Sequence, residues 1–417
     1  MNKEIDAFVK TNEKLIICGQ HDQKTIDQMN EVAKSAEHAV LCGDGHFGYV
    51  MSIGGVAAYR NKVSPTGAGY DIACGNCAVK TNLNGLSSIG EFGSPKRNLM
   101  AKSIYASLEF GIGKKNNSND APIADNIFID PRWESIPASA RDDLKEKARR
   151  QLGTIGSSNH YLDVFEDENG SIWVGVHCGS RGLGHTIASG FMALSQNAQW
   201  GARVPEVECL LGLDTPLGDA YWNAMCLAGD YAYAGREWVV RHVVAALGGQ
   251  VEELVHNHHN FCWKETHFGE DFIVVRKGST PAFPGQMSFI GGSMGDNAVI
   301  ACGCDTILNK NLLCSTVHGA GRVMSRTQAA GKKDWKTGKR KTEGVISQQM
   351  MFDWLMQKQV TLVGGGLDEA PQAYRRLTEV LKAQGDSISV VHTLKPHIVC
   401  MAGEKDFDPY AESTTPP

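Results

Sequence analysis

The sequence predicts a mixed α/β (α+β) fold in one large domain, with central β-sheets flanked by helices, on three observations. Short apolar runs alternate with longer stretches of helical spacing. Hydrophobic residues make up 42% and charged residues 21% of the 417, enough apolar surface to offset chain entropy. No linker divides the chain, so residues 1–403 read as one unit and 404–417 as a polar tail.

The elements follow in order. Lys14–Cys18, Ala39–Cys42, Ile172–His177, Asp271–Arg276, Gln286–Ile290, Ala298–Ala301, Ser387–Val391 and Ile398–Met401 are short apolar or alternating runs, expected as strands. Thr25–Ala36 has helical spacing. So does Asp219–Leu247, with Trp222, Met225, Cys226, Tyr233, Val240 and Val244 along it and Gly248–Gly249 as its stop. Glu369–Gln384 is expected as a third helix, with Ala373, Leu377, Val380 and Leu381 on one face.

No apolar run approaches ~18 residues without charge, which excludes a membrane-spanning helix. The polar, mixed-sign start MNKEIDAFVKTNEK reads as neither signal nor transit peptide. A cytoplasmic location is therefore expected, with the 12 cysteines reduced and some available to metal. The net charge of −5 means that any nucleic-acid site must be a local basic patch. One stretch fits: Lys332, Lys333, Lys336, Lys339, Arg340 and Lys341 surround Trp335 within ten residues. Such a run is commonly a solvated loop. It is also what a phosphate backbone and a stacked base require.

Histidine and cysteine fall in Gly- or Asn-containing turns after expected strands, where ligand chemistry concentrates. Asp71 and Cys74 sit in DIACGNC, just after a Gly-rich run. Asn159 and His160 follow LGTIGSS. His177 leads into CGSRG. His256, His258 and His259 form a cluster, and His318 opens HGAGR. A lone histidine is usually a hydrogen-bonded core or surface residue; five such turns weaken that reading for the set. Asp71, Cys74, His160, His177 and His259 offer a mixed O, S and N donor set suited to Mn, Fe, Co or Zn. Cys74 and Cys77 with Cys302 and Cys304 give a poorer alternative, a Cys₄ zinc site, and CGNC is a weak redox candidate. His318, flanked by Gly319, Ala320 and Gly321 with Arg322 and Arg326 beyond, is placed to act as a nucleophile toward a phosphoryl group. The loop GGSMG around Ser293 is a weak phosphate cradle by itself.

In order, the stretches GDGHFG, GAGYDIACGN, LGTIGSSNHYLDV, VGVHCGSRGLGH, HHNFCWKE, VRKG, GGSMG, STVHGAGRVMSR, DEAPQAY and VVHTLKP resemble the RtcB family of GTP- and Mn²⁺-dependent RNA ligases. The likeness runs from about residue 40 to 403, and implies an RtcB-like ligase domain with its metal site on strand-end loops. It implies two manganese ions on Asp71, Cys74, His160, His177 and His259, with Cys74 bridging. It makes His318 the histidine that carries GMP. Asn159, Asp163, Ser293, Gly319, Ala320, Gly321 and Tyr374 become guanylate contacts, and Arg181, Arg322 and Arg326 become phosphate or RNA contacts. GTP and RNA with broken ends are the implied partners, with an accessory activator allowed for. The implied reaction joins a 3′-phosphate or 2′,3′-cyclic phosphate to a 5′-hydroxyl, in RNA repair or tRNA splicing.

Two positions depart from the family pattern. Asp163 stands where the family has Glu, and Ala402 where it has Lys before Gly403, with Lys405 the nearest substitute. Two other functions stand beside the ligase: a metal-dependent phosphodiesterase or phosphatase, and a non-catalytic RNA-binding protein. The intact His318 in its Gly-Ala-Gly setting favours the ligase over both.

Overall fold

In the longest helix, Pro216–Ala246, Thr215 caps the first turn: its hydroxyl accepts the Gly218 N–H at 3.1 Å, and Pro216 occupies the first helical position, where no N–H is needed. One face buries Tyr221, Leu227, Tyr231, Val239 and Val243. The helix packs on the strands Gly75–Asn84 and Ser171–Cys178. Asp22 caps the helix Gln23–Ser35 in the same way, accepting from the Thr25 N–H at 2.9 Å.

The computed structural model describes residues 9–12, 14–123, 125–332 and 341–403. It contains two large sheets. One has six strands in the spatial order Val9–Asn12, Leu15–Cys18, His38–His46, Ile53–Tyr59, Glu270–Lys277, Asn260–His267. The other runs Val251–His258, Gly75–Asn84, Ser171–Cys178, Tyr161–Glu166, Ile388–Gly403, Ala298–Gly303, Met287–Ile290. Thr361–Gly365 lies parallel beside Ile388–Gly403. This sheet curls until its ends meet, as a nearly closed barrel. The Asn257 amide donates to the Met287 carbonyl at 3.2 Å, and the Asn76 amide to the Phe289 carbonyl at 2.9 Å. The mixed α/β class is thus observed, and among the described residues no helix is long and apolar enough to cross a membrane.

Some expected elements differ. Glu369–Gln384 is not one helix. Short 3₁₀ turns at Leu367–Glu369 and Pro371–Ala373 are followed by extended Tyr374, and the α-helix spans only Leu377–Ala383. Pro371 forces Ala370 into extended backbone (φ −61°, ψ 151°), and Tyr374 bridges to Arg322 as a strand residue would. The expected strands Ser387–Val391 and Ile398–Met401 are the two ends of one strand, Ile388–Gly403, which crosses Pro396 through a register shift. The strands Gly75–Asn84 and Val251–His258 were hidden because they carry Asn, Lys, Glu and His.

Candidate metal and nucleotide site

The expected ligand turns meet at one end of the curled sheet. Cys74 directly precedes Gly75–Asn84, His177 is the penultimate residue of Ser171–Cys178, His160 directly precedes Tyr161–Glu166, and His259 sits between Val251–His258 and Asn260–His267. These strands are neighbours, so their ends come together although Cys74 and His259 lie 185 apart in sequence. Three non-glycine residues adopt left-handed backbone beside site residues: Ala73 (φ +60°), Ser158 (φ +66°) and Arg181 (φ +55°). Such strain persists only where surrounding structure holds it. Gly179 is required by close approach, since a Cβ there would lie 2.1 Å from the Asp71 carboxylate.

Two donor groups share one thiolate position. Cys74, His177 and His259 form one; Asp71, Cys74 and His160 form the other. The Cys74 Sγ lies 3.2 Å from His177 Nε2 and 3.5 Å from His160 Nε2. His177 Nε2 is 3.3 Å from His259 Nε2, and Asp71 Oδ2 is 3.1 Å from His160 Nε2. The rings are aimed from behind. His177 Nδ1 donates to the Asn159 carbonyl at 3.1 Å, which leaves its Nε2 lone pair facing inward, and His160 Nδ1 lies 3.0 Å from the Ile155 carbonyl, which fixes the ring with Nε2 toward Asp71. Burial, then neighbouring positive groups, hold His177 and His259 well below the usual histidine range, so both are neutral. Burial and the Asp71 charge push the Cys74 thiol well up, so a cation is what would make it a thiolate. Burial opposes the Asp71 charge, but the His160 contact and Arg181 prevail and hold its carboxyl at about 2. Converging lone pairs with so few protons between them fit a pair of cations.

The same cavity, about 290 Å³, is lined by Asp71, Cys74, His177 and His259 at one end and by Asn159, Asp163, Ser293, Gly319, Ala320, Gly321 and Tyr374 toward the other. His318 lines the same cavity, its ring 4.8 Å from that of His259. Asp44 holds it there. One carboxylate oxygen accepts from His318 Nδ1 at 2.6 Å and from the backbone N–H groups of His318 and Gly319 at 3.0 and 3.4 Å. An ionised carboxylate can only accept, so Nδ1 is the nitrogen that donates to it and Nε2 is the one left to meet a ligand. The Asn76 amide fixes the His318 carbonyl at 3.1 Å. Gly321 (φ +71°) is needed because a Cβ would meet the Asp44 carbonyl at 2.3 Å.

Among the described residues, three buried polar atoms of cavity-lining side chains have no partner: Asp163 Oδ1, Ser293 Oγ and His259 Nδ1. Burial alone raises the Asp163 carboxyl far above the ordinary carboxylate range. Arg322 and Arg326 line the cavity but are held by Glu369. Arg322 Nη1 lies 3.0 Å from Glu369 Oε2 and Arg326 2.9 Å from Glu369 Oε1. Tyr374 also bonds Glu369 and accepts from Arg322 at 3.0 Å. Arg181 is not in the cavity wall; it stands behind His160, with Nη1 2.9 Å from Nδ1.

Sequence reasoning assigned no role to Asp44, Asn76, Tyr161 or Glu369. Asp44 lies inside GDGHFG, so a signal was present. Glu369 was hidden in the expected helix. The Cys₄ alternative fails: Cys77 packs in an apolar cluster with Val79, Ile89 and Val174, on the strand rather than at its end. Of the basic run only Lys332 and Lys341 are described, joined by a 2.7 Å backbone hydrogen bond. Trp335, residues 404–417 and Lys405 lie outside the described residues.

A family model described as "tRNA-splicing ligase RtcB" matches residues 25–402. The chain is 29% identical over 390 residues to "RNA-splicing ligase RtcB" of Escherichia coli K12, covering 88% of this chain and 90% of that protein. It is 29% identical over 425 residues to "tRNA-splicing ligase RtcB" of Archaeoglobus fulgidus, covering 85% and 83%. It is 30% identical over 430 residues to "RNA-splicing ligase RtcB homolog 1" of Entamoeba dispar, covering 85% and 77%. With the match extending over nearly the whole described chain and its donor turns gathered at one cavity, this chain belongs to the RtcB family.

Proposed function

We propose that the protein is a GTP-dependent RNA ligase that joins RNA 3′-phosphate or 2′,3′-cyclic phosphate ends to 5′-hydroxyl ends. The observation that carries this reading is the position of His318, its Nδ1 held by Asp44, in the wall of the same cavity as the donor groups and the residues that would contact the nucleotide.

Asp71, Cys74, His160, His177 and His259 would hold two manganese ions with Cys74 shared, and the ions would supply charge neutralisation at phosphoryl oxygens. His318 Nε2 attacks the α-phosphorus of GTP, a P–N bond forms and pyrophosphate leaves. Asp44 stabilises the positive ring that develops, without taking its proton. The RNA 3′-phosphate then displaces His318 and takes GMP, giving RNA-3′-pp-5′-G. The 5′-hydroxyl attacks the 3′-phosphorus and GMP leaves. A 2′,3′-cyclic end is first hydrolysed to the 3′-phosphate.

Asp163, Ser293, Asn159 and Tyr374 would orient the guanylate, and the unpartnered Asp163 and Ser293 oxygens suit that task. Arg322 and Arg326 would exchange Glu369 for phosphate. Arg181 would act through His160 rather than on RNA directly.

Incubation with α-labelled GTP and Mn²⁺ tests the reading. Expected is an acid-labile protein label that His318→Ala removes. No label, with phosphatase activity retained, would instead favour the hydrolase.

A further inference from the structure

We propose that Arg236, on the helix Pro216–Ala246 outside the cavity, is the positioning residue that sets the backbone of three metal-ligand turns at once; this rests on the two-ion reading of the donor cluster. Arg236 is fully buried. Its Nη1 donates to the Ala73 carbonyl at 2.8 Å and to the Cys178 carbonyl at 2.7 Å. Ala73 directly precedes Cys74, and Cys178 directly follows His177. Its Nη2 bonds His258 Nδ1 at 2.8 Å, one residue before His259, and its Nε donates to His256 Nε2 at 2.8 Å. One planar fork therefore ties the turns that carry Cys74, His177 and His259.

None of these partners is a carboxylate, so ordinary charge neutralisation does not explain a buried guanidinium here. Its donors are used for geometry. One of the peptides it grips is strained: Ala73 is left-handed at φ +60°, and its carbonyl is fixed by Arg236 while its N–H donates to the Asn260 carbonyl at 2.7 Å. The Cys74 carbonyl in turn accepts the His259 N–H at 2.8 Å, so a shift at Ala73 moves both ligands. Gly75 packs against the same strand and the guanidinium, since a Cβ there would lie 2.2 Å from the Asn257 carbonyl and 3.0 Å from Arg236 Cζ. The side chain is also braced by Tyr233, whose ring lies 5.4 Å beneath the guanidinium and 3.9 Å from His258.

The full-length protein, its Arg236→Met and Arg236→Lys variants, and His256→Phe, which removes only the Nε partner, are titrated with Mn²⁺ and with Co²⁺. Thermal melts of the metal-free proteins run in parallel. Expected for Arg236→Met is a loss of metal affinity of about 10–100-fold with displaced thiolate-to-cobalt absorption bands. Arg236→Lys keeps the charge but not the fork, so it should fail to restore the bands. His256→Phe should show a smaller change of the same kind, and with Arg236→Lys it carries the test if the Met variant does not fold. Wild-type uptake of two ions, with unchanged affinity and bands in all variants and only lowered melting, overturns the positioning role. No uptake by the wild type would sink the two-ion reading and this inference with it.

Discussion

The two ends of the cavity are built differently. At the metal end every donor is already in reach of its partners, with ligand atoms of each group within 4.8 Å of one another and two rings aimed by backbone carbonyls. At the nucleotide end the charged groups satisfy each other. Arg322 and Arg326 are occupied by Glu369, while Asp163 and Ser293 hold oxygens with no partner at all. The donor set of the first end fits cations without rearrangement. The second must exchange or complete its contacts when a ligand arrives. Loss of a donor should therefore act in an all-or-none way, and changes at the nucleotide end should be graded.

The largest expected effect tests that asymmetry at its shared point. Cys74→Ser should remove at least one of two bound ions and all detectable joining, read by elemental analysis and ligation of a 3′-phosphate RNA. Retention of two ions would show that the thiolate is not shared. Asp44→Asn probes the boundary between the ends. Without a pure acceptor at Nδ1, His318 takes the wrong tautomer, and guanylylation should fall roughly 10³–10⁴-fold with metal content unchanged.

How much of this was readable before the fold is itself uneven. The five candidate ligands and His318 stood out because thiol, imidazole and carboxylate groups sat in Gly- and Asn-bearing turns, a placement with no packing explanation. Asp44 did not, because a single carboxylate on an otherwise apolar strand gives no periodic signal, and its partner is 274 residues away. Glu369 was masked by the helical spacing of Ala373, Leu377 and Val380, which Pro371 interrupts. The two strands that bracket Cys74 and His259 were missed because polar side chains on them are buried by tertiary partners, as Asn76 and Asn257 are by the Phe289 and Met287 carbonyls across the closing seam. Burial of polar groups by tertiary closure is what a one-dimensional pattern does not carry.

Effects at the nucleotide end should be smaller. Glu369→Gln leaves Arg322 and Arg326 half-paired in a site where Glu369 is 3% exposed, and should cost about 3 kcal/mol in denaturant melts with both ions retained. Loss of the ions would mean the ends are not separable. The smallest effect concerns Asp163. Its folded pKa is raised by burial above the unfolded value, so its contribution to stability is full at low pH and is lost as pH rises through the folded value. The ligand-free protein should therefore melt lower as pH rises above the ordinary carboxylate range, and Asp163→Asn should flatten that trend. An identical slope in the variant would place the pH dependence elsewhere.

Anomalous diffraction from crystals grown with Mn²⁺ bears most directly on the shared cavity. Expected are two peaks about 3.5–4 Å apart, both in bonding contact with the Cys74 sulfur and both facing the Nε2 of His318. A single peak bound by neither Cys74 group, or peaks remote from His318, would contradict it.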